Sequence, residues 1–115
     1  MPSAPPILVV DDDDDVREML ALVLEAEGFR VSSTWNGQLA LQELAGFSGI
    51  VILDLRMPVM SGWEVIEALR ENGRLGSIPI AICTSSPEDA PVGFPIIAKP
   101  VDLEQMLGII RGLSS

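Results

Sequence analysis

Four short apolar runs, each closed by a polar or charged residue, constrain this chain most. Ile7-Leu8-Val9-Val10 is followed by Asp11 and Asp12, and Ile50-Val51-Ile52-Leu53 by Asp54. Ile80-Ala81-Ile82-Cys83 is followed by Thr84, and a run over 94–98 by Lys99. Short runs rich in β-branched residues, without polar alternation, describe strands buried on both faces rather than helices. Segments of helical spacing separate them. Val16, Leu20, Val23 and Leu24 share one face of a helix expected over 14–27, where Asp14 and Asp15 suit the N-terminus and Gly28 the stop. Asn36 caps a second helix reaching to about 45, with Leu39, Ala40 and Leu44 inward. Val65, Ile66 and Leu69 line a third over 62–71, and Leu103, Met106, Leu107 and Ile110 a last one over 101–111. A further strand is expected over 30–34.

Strands alternating with helices predict an α/β fold with a parallel sheet covered on both faces. Five strands suit the flavodoxin-like (βα)5 three-layer sandwich, with strand order 2-1-3-4-5. The 115 residues, 48% hydrophobic, fit one domain over 1–115 with one full core, and 1–6 reads as a flexible N-terminal extension. A net charge of -10 argues against nucleic-acid backbone or an anionic membrane surface as a direct partner. With one cysteine, Cys83, no internal disulfide can form, and a cytoplasmic setting fits. With no histidine, Ser-His-Asp and Cys-His catalysis and His-based zinc sites are excluded. No apolar run approaches the roughly 20 residues of a membrane span.

The polar residues at the strand ends carry the chemistry. Open α/β sheets bind ligands at the carboxyl edge of their strands. Asp11, Asp12 and Asp54 all follow buried strands, and three carboxylates converging there repel one another. A cation offsets that cost. Magnesium takes hard oxygen ligands, keeps waters and often bridges to phosphate. An EF-hand reading of Asp11 to Asp15 fails, because Val16 and Leu22 stand where a glycine and a glutamate belong. A carboxylate is also a nucleophile, so Asp54 can accept a phosphoryl group as an acyl phosphate. Lys99 is the matching cation, one of only seven basic residues, and Thr84 the matching hydroxyl.

At this level the chain resembles the receiver (CheY-like) domain of two-component response regulators. The likeness runs from ILVVDDDDDVREML through STWNGQLALQEL, VILDLRMPVMSGWEVIEALR and PIAICTSS to IAKPVDLEQML. It implies that Asp54 is the phosphoacceptor. Asp11, Asp12, Asp54 and the backbone carbonyl of Arg56 would hold magnesium. Thr84 would be the switch hydroxyl, Lys99 the phosphate-binding lysine, and the Lys99–Pro100 bond cis. The donor would be a histidine kinase or phosphotransfer protein, and the output an unidentified protein partner. Such domains also catalyse their own phosphorylation and dephosphorylation. Arg56 and Ser86 stand where the second is tuned, and an arginine there has no base to orient water.

Two departures from the family stand out. Only fourteen residues separate Thr84 from Lys99, and the stretch 87–93 contains Pro87, Pro91 and Gly93. It cannot hold a normal fourth helix, which is expected to be truncated or missing. Ile96 replaces the family's aromatic switch, with Phe94 on the same strand face. Trp63 is expected to cover the core edge, and Trp35, after the second strand near the carboxyl edge, to pack simply rather than lie on the rim of the site. Two rival functions are a phosphorylation-independent interaction module on the same scaffold and a flavin-binding electron carrier. The second lacks a phosphate-cradling loop after the first strand, where acids stand instead.

Overall fold

The computed structural model describes residues 4–114. Its strands are β1 (Ile7–Val10), β2 (Val31–Thr34), β3 (Ile50–Leu53), β4 (Ile80–Thr84) and β5 (Ile96–Ala98). Its helices are α1 (Asp14–Ala26), α2 (Gly37–Leu44), α3 (Gly62–Glu71) and α4 (Leu103–Ser114). The strands form one sheet in the order β2-β1-β3-β4-β5, and every pairing is parallel. This is the architecture expected from the sequence. Of the expected extension over 1–6, residues 1–3 lie outside the described residues. Ala4 packs against the core, and the Pro6 carbonyl accepts from Ile50 N at 2.9 Å.

The two-residue period of a strand divides the core between two faces. Leu8, Val10, Val51 and Leu53 point to one face, where Ala40 and Leu44 of α2 and Val65, Ile66 and Leu69 of α3 cover them. Ile7, Val9, Ile50 and Ile52 point to the other, under Leu20 and Leu24 of α1 and Met106 and Ile110 of α4. Of the expected inward residues, Leu103, the first residue of α4, is instead exposed.

Caps fix where the helices begin. Asp13, rather than Asp14, is the N-cap of α1, and its carboxylate accepts from Asp15 N at 2.9 Å and Val16 N at 3.2 Å. Asn36 caps α2 as expected, accepting from Leu39 N at 2.9 Å. Ser61 and Glu64 form a reciprocal capping box at α3. Asp102 accepts from Gln105 N at 3.0 Å, so α4 starts at Leu103 rather than 101.

The connection from β4 to β5 holds a single 3-10 turn, Pro87–Asp89, in place of a helix. Proline supplies no N–H, and the stretch is too short to nucleate a longer helix. β5 is shorter than expected, and Phe94 lies before it, packed on the α2–α3 side. The Lys99–Pro100 peptide bond is cis.

The loop from β3 to α3 runs close to Asp54. Gly62 N donates to Leu55 O at 2.8 Å, and a Cβ at Gly62 would lie 2.2 Å from the Asp54 carbonyl oxygen. Only glycine permits that approach. In the same loop Val59 sits at φ 69° and is 73% exposed. A β-branched residue is strained there, while asparagine tolerates that conformation. Gly62→Ala is therefore expected to lower stability by about 1–3 kcal/mol. Val59→Asn, which loses no packing, should raise it by about 1 kcal/mol. Urea unfolding midpoints of the two variants check both signs.

Candidate functional site

The site is built by extending the strand ladder one residue past each strand. Asp11 N donates to Thr34 O at 3.1 Å and Asp54 N to Val10 O at 2.8 Å. Lys99 N donates to Thr84 O at 2.9 Å. Backbone pairing thus fixes Asp11, Asp54 and Lys99 at the carboxyl edge of β1, β3 and β5, around Thr84 at the end of β4. The Arg17 guanidinium donates to the Asp11 carbonyl at 2.7 Å and so pins the turn into α1.

Each buried carboxylate has one oxygen held and one turned inward. Asp11 Oδ1 accepts from Asp13 N at 2.9 Å, and Asp54 Oδ1 from Leu55 N at 2.8 Å. The other oxygens face Lys99, whose Nζ lies 2.8 Å from Asp11 Oδ2 and 3.5 Å from Asp54 Oδ2. The Asp11 contact is one of charge at close range, without a well-directed hydrogen bond to that buried oxygen. Asp12 is exposed, yet one oxygen from each of Asp11, Asp12 and Asp54 falls within 4.8 Å of the others. Thr84 is buried, and its Oγ1 accepts from Ser86 N at 3.0 Å.

Burial is the largest influence on Asp54, followed by the Asp11 charge. Together they outweigh Lys99 and the Leu55 N–H, and raise its pKa from 3.8 to about 6. Burial opposes the charge of Lys99, but the close contact with the Asp11 carboxylate and the charge of Asp54 win, and its pKa is raised. Burial pushes the Cys83 thiol up to about 12, so it stays protonated and inert beneath the site.

The five site residues named from the sequence, Asp11, Asp12, Asp54, Thr84 and Lys99, meet at one edge. Arg56 does not join them with its side chain. Its guanidinium pairs with Asp89 at 2.8 Å and lies over the Trp63 ring, 5.4 Å from the centroid. Trp63 Nε1 donates to the Asp89 carbonyl at 3.3 Å. Trp63 thus packs at the core edge as expected, but Trp35 is 54% exposed instead of packed. Sequence reading missed Asp89, whose partner lies 33 positions away, and placed Asp13 near the start of α1 without assigning it the cap. For Asp13 a signal existed, because a capping residue belongs just before the first helical turn.

A five-stranded parallel sheet with three clustered acids and a lysine at its carboxyl edge defines the class, an α/β domain with its candidate site at the strand ends. The family model for the response regulator receiver domain matches residues 7–111, and the chain belongs to that family of two-component systems. A transcriptional regulatory protein, the CpxR homolog of Haemophilus influenzae, is 40% identical over 83 residues, which are 72% of this chain and 35% of that protein. The chain spans less than half the length of the first curated relatives it matches. A receiver domain protein (CheY-like) from Methanospirillum hungatei superposes with a TM-score of 0.83 at 32% identity, covering 95% of this chain and 93% of that one. The response regulator TrrA from Thermotoga maritima, solved in complex with Mg(2+)-BeF, gives 0.81 at 28% identity over 95% of this chain and 98% of that one.

The raised Asp54 pKa has a consequence for stability. The folded chain holds this proton up to about pH 6, the unfolded chain only to 3.8. Without a divalent cation, this group's contribution falls as pH rises between those values, by about 3 kcal/mol at most. Asp54→Asn removes that loss and is expected to be more stable than the parent at pH 7 in chelator, with the gap closing toward pH 4. Urea unfolding of both proteins across this range checks it. Identical pH profiles would contradict the electrostatic account.

Proposed function

We propose that this chain accepts a phosphoryl group on Asp54 from a histidine kinase or phosphotransfer protein and passes the signal to a protein partner. The observation that supports this most is the reach of one ammonium, Lys99 Nζ, to both Asp11 and Asp54 in a pocket of four strand ends. A purely structural lysine would gain more by standing in water.

The donor set fits magnesium. It consists of hard carboxylate oxygens, one each from Asp11, Asp12 and Asp54, within 4.8 Å of one another, and Asp11 also carries a buried Oδ2 without a well-directed hydrogen bond. Asp11, Asp12, Asp54 and the backbone carbonyl of Arg56 would hold the ion. When bound, it neutralises phosphate charge and helps to orient the transferred group.

The chain's own residues do the rest. Leu55 N–H holds Asp54 Oδ1, which leaves Oδ2 free to attack phosphorus. The new O–P bond forms as the donor's P–N bond breaks, and the leaving imidazole keeps the electron pair. Lys99, already beside Asp54, meets the incoming negative charge. Thr84 supplies a hydroxyl at the same edge. The Arg56 side chain carries no base to orient a hydrolytic water, so the acyl phosphate is long-lived. A phosphorylation-independent interaction module is not favoured, because it leaves this buried set of acids, hydroxyl and ammonium without a purpose.

The setting we propose is the cytoplasm, where a kinase of this kind presents its phosphohistidine. Among the described residues no helix is long and apolar enough to cross a membrane.

Acetyl phosphate with magnesium should add one base-labile phosphoryl group, read by intact mass. Asp54→Asn should abolish it, since an amide is not a nucleophile. Lys99→Ala should slow it by roughly a hundredfold, the scale of losing one aimed charge. A mass gain that persists in Asp54→Asn would move the nucleophile elsewhere. Magnesium itself should stabilise the fold by RT ln(1 + [Mg]/Kd). Asp12→Asn should weaken that effect severalfold, and an unchanged magnesium affinity would displace the metal site.

A further inference from the structure

We propose that the Arg56–Asp89 ion pair is a latch. It holds the Pro87–Asp89 turn to the loop after β3 while Asp54 is unmodified, and a phosphoryl group on Asp54 opens it by taking the Arg56 guanidinium. The inference rests on the reading of Asp54 as the phosphoacceptor.

The turn is tied to the pocket at its start and to the loop after β3 and the start of α3 at its end. At its start Ser86 N donates to Thr84 Oγ1 at 3.0 Å, and Asp89 N closes the turn onto Ser86 O at 3.0 Å. At its end the Asp89 carboxylate pairs with Arg56 at 2.8 Å and the Asp89 carbonyl accepts from Trp63 Nε1 at 3.3 Å. Thr84 thus belongs to both the turn and the pocket, while Arg56, two residues after Asp54 in the chain, holds the far end of the turn from outside the pocket. A phosphoryl group carries nearly two negative charges and three strong acceptor oxygens. It accepts a guanidinium in bidentate fashion, so it competes with Asp89 for Arg56, and it can accept the Thr84 hydroxyl while Thr84 Oγ1 still accepts from Ser86 N.

The energetics suit a device that must open. The Arg56 and Asp89 side chains are 61% and 47% exposed, so their pairing is weak and easily exchanged for a stronger acceptor. A helix buried against the sheet could not be released so readily. Here the connection is one 3-10 turn without a buried residue. Ile96, which can only repack, offers no polar readout, whereas Trp63 senses the latch directly through both its ring and its N–H.

Linkage then works in both directions. A latch that stabilises the unmodified state must weaken binding of anything that opens it. Asp89→Asn should therefore tighten binding of beryllofluoride with magnesium, a phosphoryl mimic, by about two- to fivefold, the range a half-exposed pair can supply. Glu88→Gln removes the same charge from the same turn without touching Arg56, and should shift the affinity by clearly less. In a Trp35→Phe background, where Trp63 is the sole indole, beryllofluoride should change the emission, and Asp89→Asn should shrink that change.

Equal shifts in Asp89→Asn and Glu88→Gln, or no shift in either while the parent still binds, would overturn the latch and leave Asp54 as acceptor. Weaker binding in Asp89→Asn would also overturn it. If the parent binds no beryllofluoride and takes no phosphoryl group from acetyl phosphate, the acceptor reading falls and the latch with it.

Discussion

Three carboxylates stand at the carboxyl edge of a hydrophobic sheet, and the Lys99 ammonium is what makes that arrangement tolerable. It lies 2.8 Å from Asp11 and 3.5 Å from Asp54, both of them buried. In so dry a setting like charges repel far more strongly than in water, and each lone carboxylate would shed its charge. One ammonium cannot balance three acids. The remaining imbalance shows in Asp54, whose pKa rises to about 6, with burial as the first cause and Asp11 as the second. The pocket is therefore poised with a deficit of positive charge that a divalent cation can fill. Breaking a buried pair costs far more than forming it gains, so removal of Lys99 should harm the site more than the exposed Asp12.

The precision of the pocket comes from backbone, not from side chains. Asp11, Asp54 and Lys99 each stand one step past the end of a strand, and their N–H groups still bond to the neighbouring strand. The parallel register thus sets the spacing of Asp11, Asp54 and Lys99, and the two-sided hydrophobic core holds the register. The close approach of Gly62 to the Asp54 carbonyl ties α3 to the same point. Where the backbone is less constrained, the chain has room to move. The β4–β5 connection is tied to Thr84, to the Arg56 side chain and to Trp63 Nε1, with no α-helix to stiffen it. Rigid pocket and loosely tied turn are consequences of the same economy of chain between Thr84 and Lys99.

Much of this was legible in the sequence because burial writes a strong pattern. Strands covered on both faces need unbroken apolar runs, and the runs at 7–10, 50–53 and 80–83 marked β1, β3 and β4 closely. The prolines at 87 and 91 announced the missing helix. The site residues were legible because strand ends are where such a sheet places its chemistry. Other features depend on contacts that no local pattern encodes. Arg56 and Asp89 meet across 33 positions, so their pairing follows from the path of a loop. Asp13 and Asp14 differ only in backbone conformation, which decides which of them caps α1. Trp35 and Leu103 are exposed, which residue type and helical periodicity do not reveal.

The central claim is that Asp54, among three clustered acids, is the one that carries the phosphoryl group. Borohydride reduction tests it most directly, because it converts an aspartyl phosphate to homoserine and leaves free carboxylates untouched. The protein would be treated with acetyl phosphate and magnesium, reduced, digested and sequenced by mass spectrometry. The account predicts homoserine at position 54 and aspartate retained at 11 and 12. Homoserine at position 11 or 12, or at none of the three, would contradict it.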